Sequence, residues 1–464
     1  MRHDPSNSDL RKLIIGVEQK IPLSDGKYVT AINFDNAATT PVLYPVLREI
    51  NHFAPWYSSV HRGGGYKSKV SSDIYEQGRA VVQSFVNSDK ERDVVIFTKN
   101  TTEAINILSY VLSQQKTQQK VILSTFMEHA ANDLPWRNKF KVDYVEVDRF
   151  GRLSIEDLED KLIRYRGSVK LVSVTGASNV TGYLNPIYKI AALAHKYGAK
   201  ILVDGAQMVP HTSVDMKSFD SLEHIDYLAF SAHKMYAPFG AGVLIGPKKD
   251  FMEGNPFVQG GGAIDLVTHK RVEWDEPAGK DEAGTPNAMG VVALTTAIKT
   301  LQSVGMDYIY QIEKSLYDYA ISHMKNIPGI KFYSDPYRDD TISVIPFNLE
   351  GVYHHLLPTI LSDEAGIAVR NGFFCTHPYC ERLLGLSEED INHYFEDEDE
   401  MFPGMVRISF GLYNNYKEID KFISILRIIA ENKEYYISKY SKNLSSNQTM
   451  KEAGLCNHMF NHGC

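Results

Sequence analysis

The sequence predicts an α/β fold in which a mostly parallel sheet is covered by helices on both faces. Between about residues 90 and 250, short apolar, β-branched runs alternate with longer segments of helical periodicity. The short runs are apolar throughout, which is typical of strands buried on both faces of a parallel sheet. Beyond about residue 290 the pattern becomes a mixture of strands and helices, which indicates a second, smaller α+β domain.

The elements of the first domain follow one another in a regular order. Strands are predicted at 94–98, 121–123, 171–174, 201–203, 227–230 and 241–245. Asn100 and Glu103 give the N-cap and the acidic third position of a helix that follows the first strand. Further helices are predicted near 132–136 and over 188–197, and Gly198 provides the C-terminal stop of the latter.

The second domain begins after the Gly/Pro-rich segment 284–287, with a long helix over about 289–324. Strands are then predicted at 331–333, 342–347 and 406–409, and helices at 354–364 and 418–433. We expect an N-terminal segment (1–33) that packs on the small domain or on a partner subunit, a large domain (34–290), a small domain (291–436) and a flexible tail (437–464). The acidic run 396–400 is predicted to be a solvated loop.

Composition and charge disfavour several classes of function. The 464 residues suffice for two or three domains, and the net charge of −8 comes without a dense basic block, which disfavours a nucleic-acid partner. No stretch approaches the roughly 20 apolar residues that span a bilayer, and the N-terminus lacks the apolar core of a signal peptide. The four cysteines all lie near the end of the chain, so we expect a reducing, cytoplasmic setting.

Two charged residues follow neighbouring predicted strands, where ligands bind in open α/β sheets. Asp204 ends the strand 201–203, and Lys234 follows the strand 227–230. Pyridoxal 5′-phosphate requires such a pair: the carboxylate keeps the pyridine nitrogen protonated, while the lysine amine forms a Schiff base and moves protons. The sequence therefore predicts a pyridoxal-phosphate enzyme.

Polar groups for the cofactor phosphate are also present. Ser231 and His233 stand directly before Lys234. Thr101 and Thr102 begin a predicted helix after a strand, where backbone N–H groups and hydroxyls bind anions. We expect these four residues to hold the phosphate.

Five short segments of the chain are distinctive as a set. They are Asn33–Pro41, Met127–Asn132, Val203–Gln207, Ser231–Lys234 and Gly284–Asn287. Together they resemble the class V aminotransferase family, and within it the SUF-type (group II) cysteine desulfurases and selenocysteine lyases, over about residues 33 to 430. The resemblance implies a fold type I pyridoxal-phosphate enzyme with a seven-stranded sheet, working as a homodimer with active sites at the subunit interface.

The resemblance also implies roles for further residues around the cofactor. His129 would stack on the pyridine ring and assist acid–base steps, and Gln207 would hydrogen-bond the phenolic oxygen of the ring. Thr285 would reach the phosphate bound by the neighbouring subunit.

An amino-acid substrate would be held by four residues according to the same resemblance. Asn179 and Arg407 would bind its carboxylate, and Asn36 and Arg370 would also contact it. The role suits Arg407 chemically, because a guanidinium offers a planar, bidentate and permanently charged partner.

The segment 366–378 decides which reaction the enzyme performs. Desulfurases of this kind carry Val-Arg-x-Gly-x-x-Cys here, and the register places Cys375 on the cysteine. Cys375 would attack the sulfur of L-cysteine, which gives L-alanine and a persulfide on the enzyme for a sulfur-acceptor protein. The neighbouring Phe373-Phe374, the sequence 376–380 and the longer insert 384–405 depart from the SUF-type pattern. The sequence 376–380 looks closer to a less characterised class V subgroup and to the desulfurase-like domain of molybdenum-cofactor sulfurases.

Three interpretations of the function stay open. The first is the desulfurase. The second is a class V aminotransferase, epimerase or other lyase acting on a different amino acid, in which Cys375 is not catalytic. The third is an inactive homologue with a scaffold role, against which Lys234, Asp204, His129 and Arg407 argue.

The remaining thiols have alternative interpretations as well. Cys380 either relays a persulfide or is an ordinary thiol. The tail residues Cys456, His458, His462 and Cys464 include zinc-ligand types, and a tail thiol could also accept sulfur. Their spacing matches no zinc pattern that we can name, so no metal is predicted.

Overall fold

The structure is a computed structural model that describes residues 7–396 and 402–444. The acidic residues 397–400 and the tail positions Cys456, His458, His462 and Cys464 lie outside the described residues. None of the described helices is long and apolar enough to cross a membrane.

The chain first forms a short N-terminal segment and then the large domain. The N-terminal segment comprises α1 (Asn7–Lys12), β1 (Lys20–Pro22), β2 (Tyr28–Thr30) and β3 (Ile32–Asn33). The strands of the large domain are β4 (Asp93–Thr98), β5 (Val121–Thr125), β6 (Lys141–Val145), β7 (Val169–Thr175), β8 (Lys200–Asp204), β9 (Tyr227–Ser231), β10 (Gly242–Pro247), β11 (Ile264–Val267) and β12 (Val272–Trp274). Its helices are α2 (Tyr44–Phe53), α3 (Tyr66–Val86), α4 (Thr101–Gln114), α5 (Leu134–Arg137), α6 (Ile155–Arg164), α7 (Ile187–Lys196), α8 (Lys248–Met252) and α9 (Ala288–Val304).

The small domain completes the described chain. Its helices are α10 (Met306–Met324), α11 (Leu356–Ala365), α12 (His377–Leu384), α13 (Glu388–Glu396), α14 (Tyr416–Glu431) and α15 (Lys433–Leu444). Its strands are β13 (Ile330–Phe332), β14 (Val344–Leu349), β15 (Ile367–Ala368), β16 (Arg370–Gly372) and β17 (Met405–Ser409).

A seven-stranded sheet with the order β4-β10-β9-β8-β7-β5-β6 forms the centre of the large domain. Strands β5 to β9 are parallel to one another, whereas β10 is antiparallel to both β9 and β4. The predicted α/β fold with a mostly parallel, seven-stranded sheet is therefore confirmed. The edge strand β6 was not predicted from the sequence, because most of its residues are only partly buried and it has no continuous apolar run.

The sheet separates two apolar cores, which explains why its strands are apolar throughout. Neighbouring residues of β4 face opposite sides: Val95 belongs to the core that includes α9, and Ile96 to the core that includes α4. In β7, Val172 and Leu171 are divided in the same way. A strand that is buried on both faces has no position for alternating polar residues.

The small domain is built on an antiparallel sheet with the order β13-β14-β17-β16. Helices α10, α11 and α14 pack around an apolar core that includes Leu316, Leu357 and Phe422. The N-terminal segment contacts this domain: β3 pairs with β15, and Arg11 forms a 2.7 Å ion pair with Glu418. This pairing brings the residues that follow β3 next to β17.

The long helix that the sequence predicts over 289–324 is two helices, α9 and α10. The chain between them passes through Gly305, whose φ of +100° is disfavoured for residues with a side chain. Apolar residues continue with helical spacing on both sides of Gly305, so periodicity alone could not reveal the break.

The last described helix, α15, runs past residue 436, where the sequence predicts the end of the small domain. Tyr440 is buried, and its hydroxyl donates a hydrogen bond to Glu364 of α11. Helix α15 therefore packs against α11 through Tyr440.

Candidate active site

A cavity of about 240 Å³ lies beyond the carboxyl ends of β8 and β9, at the boundary between the two domains. It brings together most of the residues that the sequence predicted for the site. Those lining it are Thr101, Thr102, His129, Asn179, Asp204, Gln207, Ser231, His233, Lys234, Arg370, Cys375 and Arg407.

Lys234 and Asp204 both line this cavity. Asp204 is buried at the end of β8, where its carboxylate accepts a hydrogen bond from the Ala206 N–H. Desolvation lowers the pKa of Lys234 to about 8, although the negative charge of Asp204 opposes this effect. An amine with such a pKa can exchange protons near neutral pH.

Gln207 offers a polar atom that has no partner among the described residues. Its Nε2 donates to the backbone oxygen of Ala37 at 2.6 Å, and this bond fixes the orientation of the amide. Its Oε1 is buried and accepts no hydrogen bond from the described residues. A buried acceptor of this kind favours a ligand that donates a hydrogen bond to it.

The start of α4 and the end of β9 form a polar group at one side of the cavity. The backbone N–H of Thr101 donates to Oγ of Ser231 at 2.8 Å, and the two hydroxyls lie 2.6 Å apart. This close approach requires Gly242 on β10, because a Cβ there would lie 2.6 Å from Cα of Asn100. Backbone N–H groups and hydroxyls at the start of a 14-residue helix are suited to a phosphate.

Two histidines of the cavity are uncharged at neutral pH. Nδ1 of His129 accepts a hydrogen bond from the Ala131 N–H, so the proton of the neutral ring is on Nε2. Desolvation lowers the pKa of His129 to about 4, and the charges of Lys234 and Arg407 act in the same direction. Desolvation, with Lys234 nearby, likewise lowers the pKa of His233 to about 4.

Cys375 lies in a short loop between β16 and α12, and its side chain is exposed to the cavity. The backbone φ angles of Phe374 and Cys375 are +52° and +58°, which places both residues in the left-handed region. The carbonyl of Cys375 accepts a hydrogen bond from the Ala130 N–H at 2.8 Å. The loop is thus attached to the segment that carries His129.

Arg407 of β17 is buried, and one nitrogen of its guanidinium has no partner among the described residues. Its Nη1 donates to the backbone oxygen of Asn179 at 2.7 Å, and its Nη2 lies 3.1 Å from the carboxylate of Asp35. Its Nε has no hydrogen-bond partner among the described residues. Arg370 is half-exposed and lies 3.7 Å from the same Asp35 carboxylate. These positions suit the binding of a second carboxylate.

Two contributors to this arrangement were not identified from the sequence. Asp35 forms ion pairs with both Arg407 and Arg370, and the ring of Phe374 lies 4.7 Å from the guanidinium of Arg407. Asp35 lies directly before Asn36 within the distinctive segment Asn33–Pro41, which was the available signal. No signal in the sequence indicated the contact of Phe374.

Two residues of the sequence prediction lie away from the cavity. Asn36 donates to Ser409 O and Asn414 Oδ1, and accepts from the hydroxyl of Tyr413, all within 3.2 Å. Thr285 lines a separate cavity of about 650 Å³. The roles predicted for Asn36 and Thr285 stay predictions.

Cys380 is buried behind the loop of Cys375. Its Sγ lies 3.3 Å from the backbone oxygen of Phe373, and burial raises the pKa of its thiol well above the usual range. Because the thiolate is the reactive form of cysteine, this environment favours the ordinary-thiol interpretation over a sulfur relay.

One group of three potential metal ligands occurs among the described residues, and its members precede β8 and β9 in the chain, whereas the cavity lies beyond the carboxyl ends of these strands. Nε2 of His195 lies 2.8 Å from the carboxylate of Asp226, which also lies 3.4 Å from His224. The two imidazole rings are stacked 4.0 Å apart at an angle of 11°. The lone pairs of stacked rings lie in separate planes and do not converge on one ion, so the geometry favours an ion-pair cluster.

Comparisons with known proteins give a consistent result. The model of the family "Aminotransferase class-V" matches residues 32–422. A cysteine desulfurase of Haloferax volcanii is 34% identical over 408 residues, which cover 86% of this chain and 89% of that protein. A probable cysteine desulfurase of Halalkalibacterium halodurans is 32% identical over 436 residues, which cover 92% and 98%.

Solved structures with the same fold carry the same description. The apo structure of a cysteine desulfurase from Thermococcus onnurineus superposes with a TM-score of 0.81 at 28% identity, covering 93% of this chain and all (100%) of that one. The cysteine desulfurase CsdA from Escherichia coli, in an S-sulfonic acid form, has a TM-score of 0.77 at 26% identity, covering 93% and 99%.

Proposed function

The chain belongs to the class-V aminotransferase family, and we propose that it is a cysteine desulfurase, which converts L-cysteine into L-alanine and a persulfide on Cys375. The observation that carries the proposal is that Cys375 lines the same cavity as Lys234, Asp204 and Arg407. The names of the relatives described above support it.

Pyridoxal 5′-phosphate fits the residues of the cavity. Asp204 provides a buried carboxylate that forms no ion pair with a described cation, which suits a protonated pyridine nitrogen. Gln207 provides the unpartnered acceptor, and Thr101 and Ser231 the phosphate-binding groups, while Lys234 would hold the cofactor covalently. When bound, the cofactor supplies an electron sink for the α-carbon of the substrate.

Arg407 binds the substrate, and Lys234 transfers protons. The buried guanidinium of Arg407 binds the substrate carboxylate, and a salt bridge to Asp35 keeps the side chain in position. The amine of Lys234, with a pKa of about 8, carries protons to and from substrate carbon atoms. The neutral imidazole of His129 would face the cofactor ring without adding a charge to the cavity.

Cys375 performs the step that distinguishes this reaction. Its thiolate attacks the sulfur of the bound L-cysteine, so that an S–S bond forms as the Cβ–S bond breaks. The electron pair of the broken bond remains with the substrate carbon skeleton, and a proton converts this carbon to the methyl group of L-alanine. The sulfur remains on Cys375 until a thiol acceptor takes it, and a sulfur-acceptor protein is the physiological partner that we propose. A nucleophilic cysteine must stay reduced, which fits a cytoplasmic location.

The products formed from L-cysteine test this proposal. With a thiol reductant present, we expect the purified enzyme to form alanine and sulfide in equal amounts, because the reductant releases the sulfur of each persulfide. Pyruvate and ammonia would instead indicate a lyase, and mercaptopyruvate an aminotransferase. Either result in place of alanine would contradict the proposal.

We further propose that two chains form the working enzyme. Exposed aromatic side chains cluster on α2, on α3 and between them, including Tyr44, Trp56 and Tyr66, and such a surface is typical of an interface. The cavity that contains Thr285 also contains Arg62 and lies apart from that of Lys234, which leaves Thr285 available to a second chain. Sedimentation should give the mass of two chains, whereas a fully active monomer would contradict this proposal.

A further inference from the structure

Glu128 directly precedes His129, and its buried carboxyl group is surrounded by hydrogen-bond donors. Its Oε1 accepts from the hydroxyl of Thr125 at 2.6 Å and from the Thr175 N–H at 2.9 Å. Its Oε2 accepts from Nδ2 of Asn132 at 2.5 Å. Thr125 and Thr175 are the last residues of the neighbouring strands β5 and β7. The carboxyl group therefore ties the turn that follows β5 to the ends of two strands.

The amide of Asn132 has a fixed orientation. Its Oδ1 accepts from the hydroxyl of Ser173 at 2.6 Å and from Nε1 of Trp136 at 3.4 Å. Because an indole nitrogen can only donate, the oxygen of the amide faces Trp136 and the nitrogen faces Glu128. The pair of Glu128 and Asn132 thus has a defined polarity, in which the acid accepts and the amide donates.

The turn between these two residues carries His129. The backbone oxygen of His129 accepts from the Asn132 N–H at 2.7 Å, and its Nδ1 accepts from the Ala131 N–H at 3.1 Å. The side chains of Glu128 and Asn132 close this turn at its two ends. A change in their hydrogen bond therefore displaces the imidazole of His129.

We propose that the pair of Glu128 and Asn132 is a positioning element that holds the imidazole of His129 at the cofactor-binding cavity. The proposal rests on the desulfurase function proposed above. His129 lines the cavity together with Lys234, whereas neither member of the pair lines it. The pair therefore acts through His129 and not on a ligand.

An exchange of the two side chains tests the proposal. Glu128→Gln places an NH₂ group against the Nδ2 of Asn132, and Asn132→Asp places a second carboxylate against that of Glu128. Each single variant therefore has two groups of the same kind face to face. In the double variant E128Q/N132D, the amide at position 128 donates to the carboxylate at position 132, so the same set of hydrogen bonds can form again.

We expect kcat for L-alanine formation per cofactor-loaded molecule to fall by about 100-fold in each single variant, because a small displacement of a group at the reacting centre has effects of this size. The double variant should return to within about three-fold of the wild type. Burial raises the pKa of Glu128 to about 8, so the rates are measured at about pH 9, where this carboxyl group is ionised. A purely structural pair would lower the melting temperature of the single variants but leave kcat per loaded molecule unchanged, and that result would overturn the proposal. A double variant as impaired as the single variants would do the same.

A matched pair at Thr125 provides independent variants if the single variants do not fold. Thr125→Val removes the hydroxyl that donates to Glu128 and should lower kcat per loaded molecule, whereas Thr125→Ser keeps a hydroxyl and should retain the kcat of the wild type. Equal kcat values of the Val and Ser variants would contradict the positioning role.

The absorbance maximum of the bound cofactor separates this proposal from the proposed function. Glu128→Gln should shift the maximum, and the double variant should restore it. In a His129→Ala background, Glu128→Gln should cause no further shift, whereas a shift as large as in the wild-type background would show that the pair does not act through His129. If the wild type forms no alanine from L-cysteine, the proposed function fails, and these absorbance maxima still decide whether the pair positions His129.

Discussion

Lys234→Ala is expected to lower the turnover of L-cysteine by about 10⁴-fold and to abolish the covalent attachment of pyridoxal phosphate. Among the described residues that line the cavity, Lys234 is the only lysine. A general acid–base group contributes up to about 10⁴-fold to the rate of an enzyme. Turnover of L-cysteine and the mass of the protein after borohydride reduction measure the two effects. The cofactor should still bind noncovalently, because Asp204, Ser231 and Thr101 are unchanged.

Lys116→Ala is a suitable control for this prediction, since Lys116 is exposed and lies outside the cavity. It should keep both the activity and the borohydride-stable adduct. A Lys234→Ala protein that still carries the same adduct would show that another lysine holds the cofactor.

Cys375→Ala is expected to lower sulfide and alanine formation by about 1000-fold or more, because the group that attacks the substrate sulfur is removed. The affinity for L-alanine should remain that of the wild type, since Arg407 and the cofactor-binding residues are unchanged. Initial rates with L-cysteine and the cofactor absorbance on titration with L-alanine measure these two effects.

Cys380→Ala is the matched control for Cys375→Ala. The thiol of Cys380 is buried with a raised pKa, so its loss should cost about 1 kcal/mol of folding free energy through the small cavity left behind. The rate per folded molecule should stay within about two-fold of the wild type. A Cys375→Ala enzyme that releases sulfide as fast as the wild type would refute the role of Cys375.

The sequence predicted most of the site because the fold places the ends of parallel strands together. Asp204 ends β8 and Lys234 follows the adjacent strand β9, so their proximity could be inferred from strand order and the position of ligands in α/β sheets. The family resemblance then added Cys375 and Arg407, and both line the same cavity.

The sequence could not predict the contacts that join distant segments. The ion pair of Asp35 with Arg407 depends on the position of the N-terminal segment beside β17, which no local pattern specifies. Asn179 shows a second limit: its place in the cavity was predicted, whereas the hydrogen bonds of its amide to the Cys375 loop depend on a side-chain rotamer.

Mass spectrometry of the enzyme tests most directly whether Cys375 accepts the sulfur of L-cysteine. The protein is incubated with L-cysteine in the absence of a reductant, alkylated and digested. We predict one additional sulfur atom on Cys375 itself, assigned from the fragment ions of the peptide that contains it, and none on that peptide from Lys234→Ala. Alanine formation without additional sulfur on Cys375, or with the sulfur on Cys380 instead, would contradict the account.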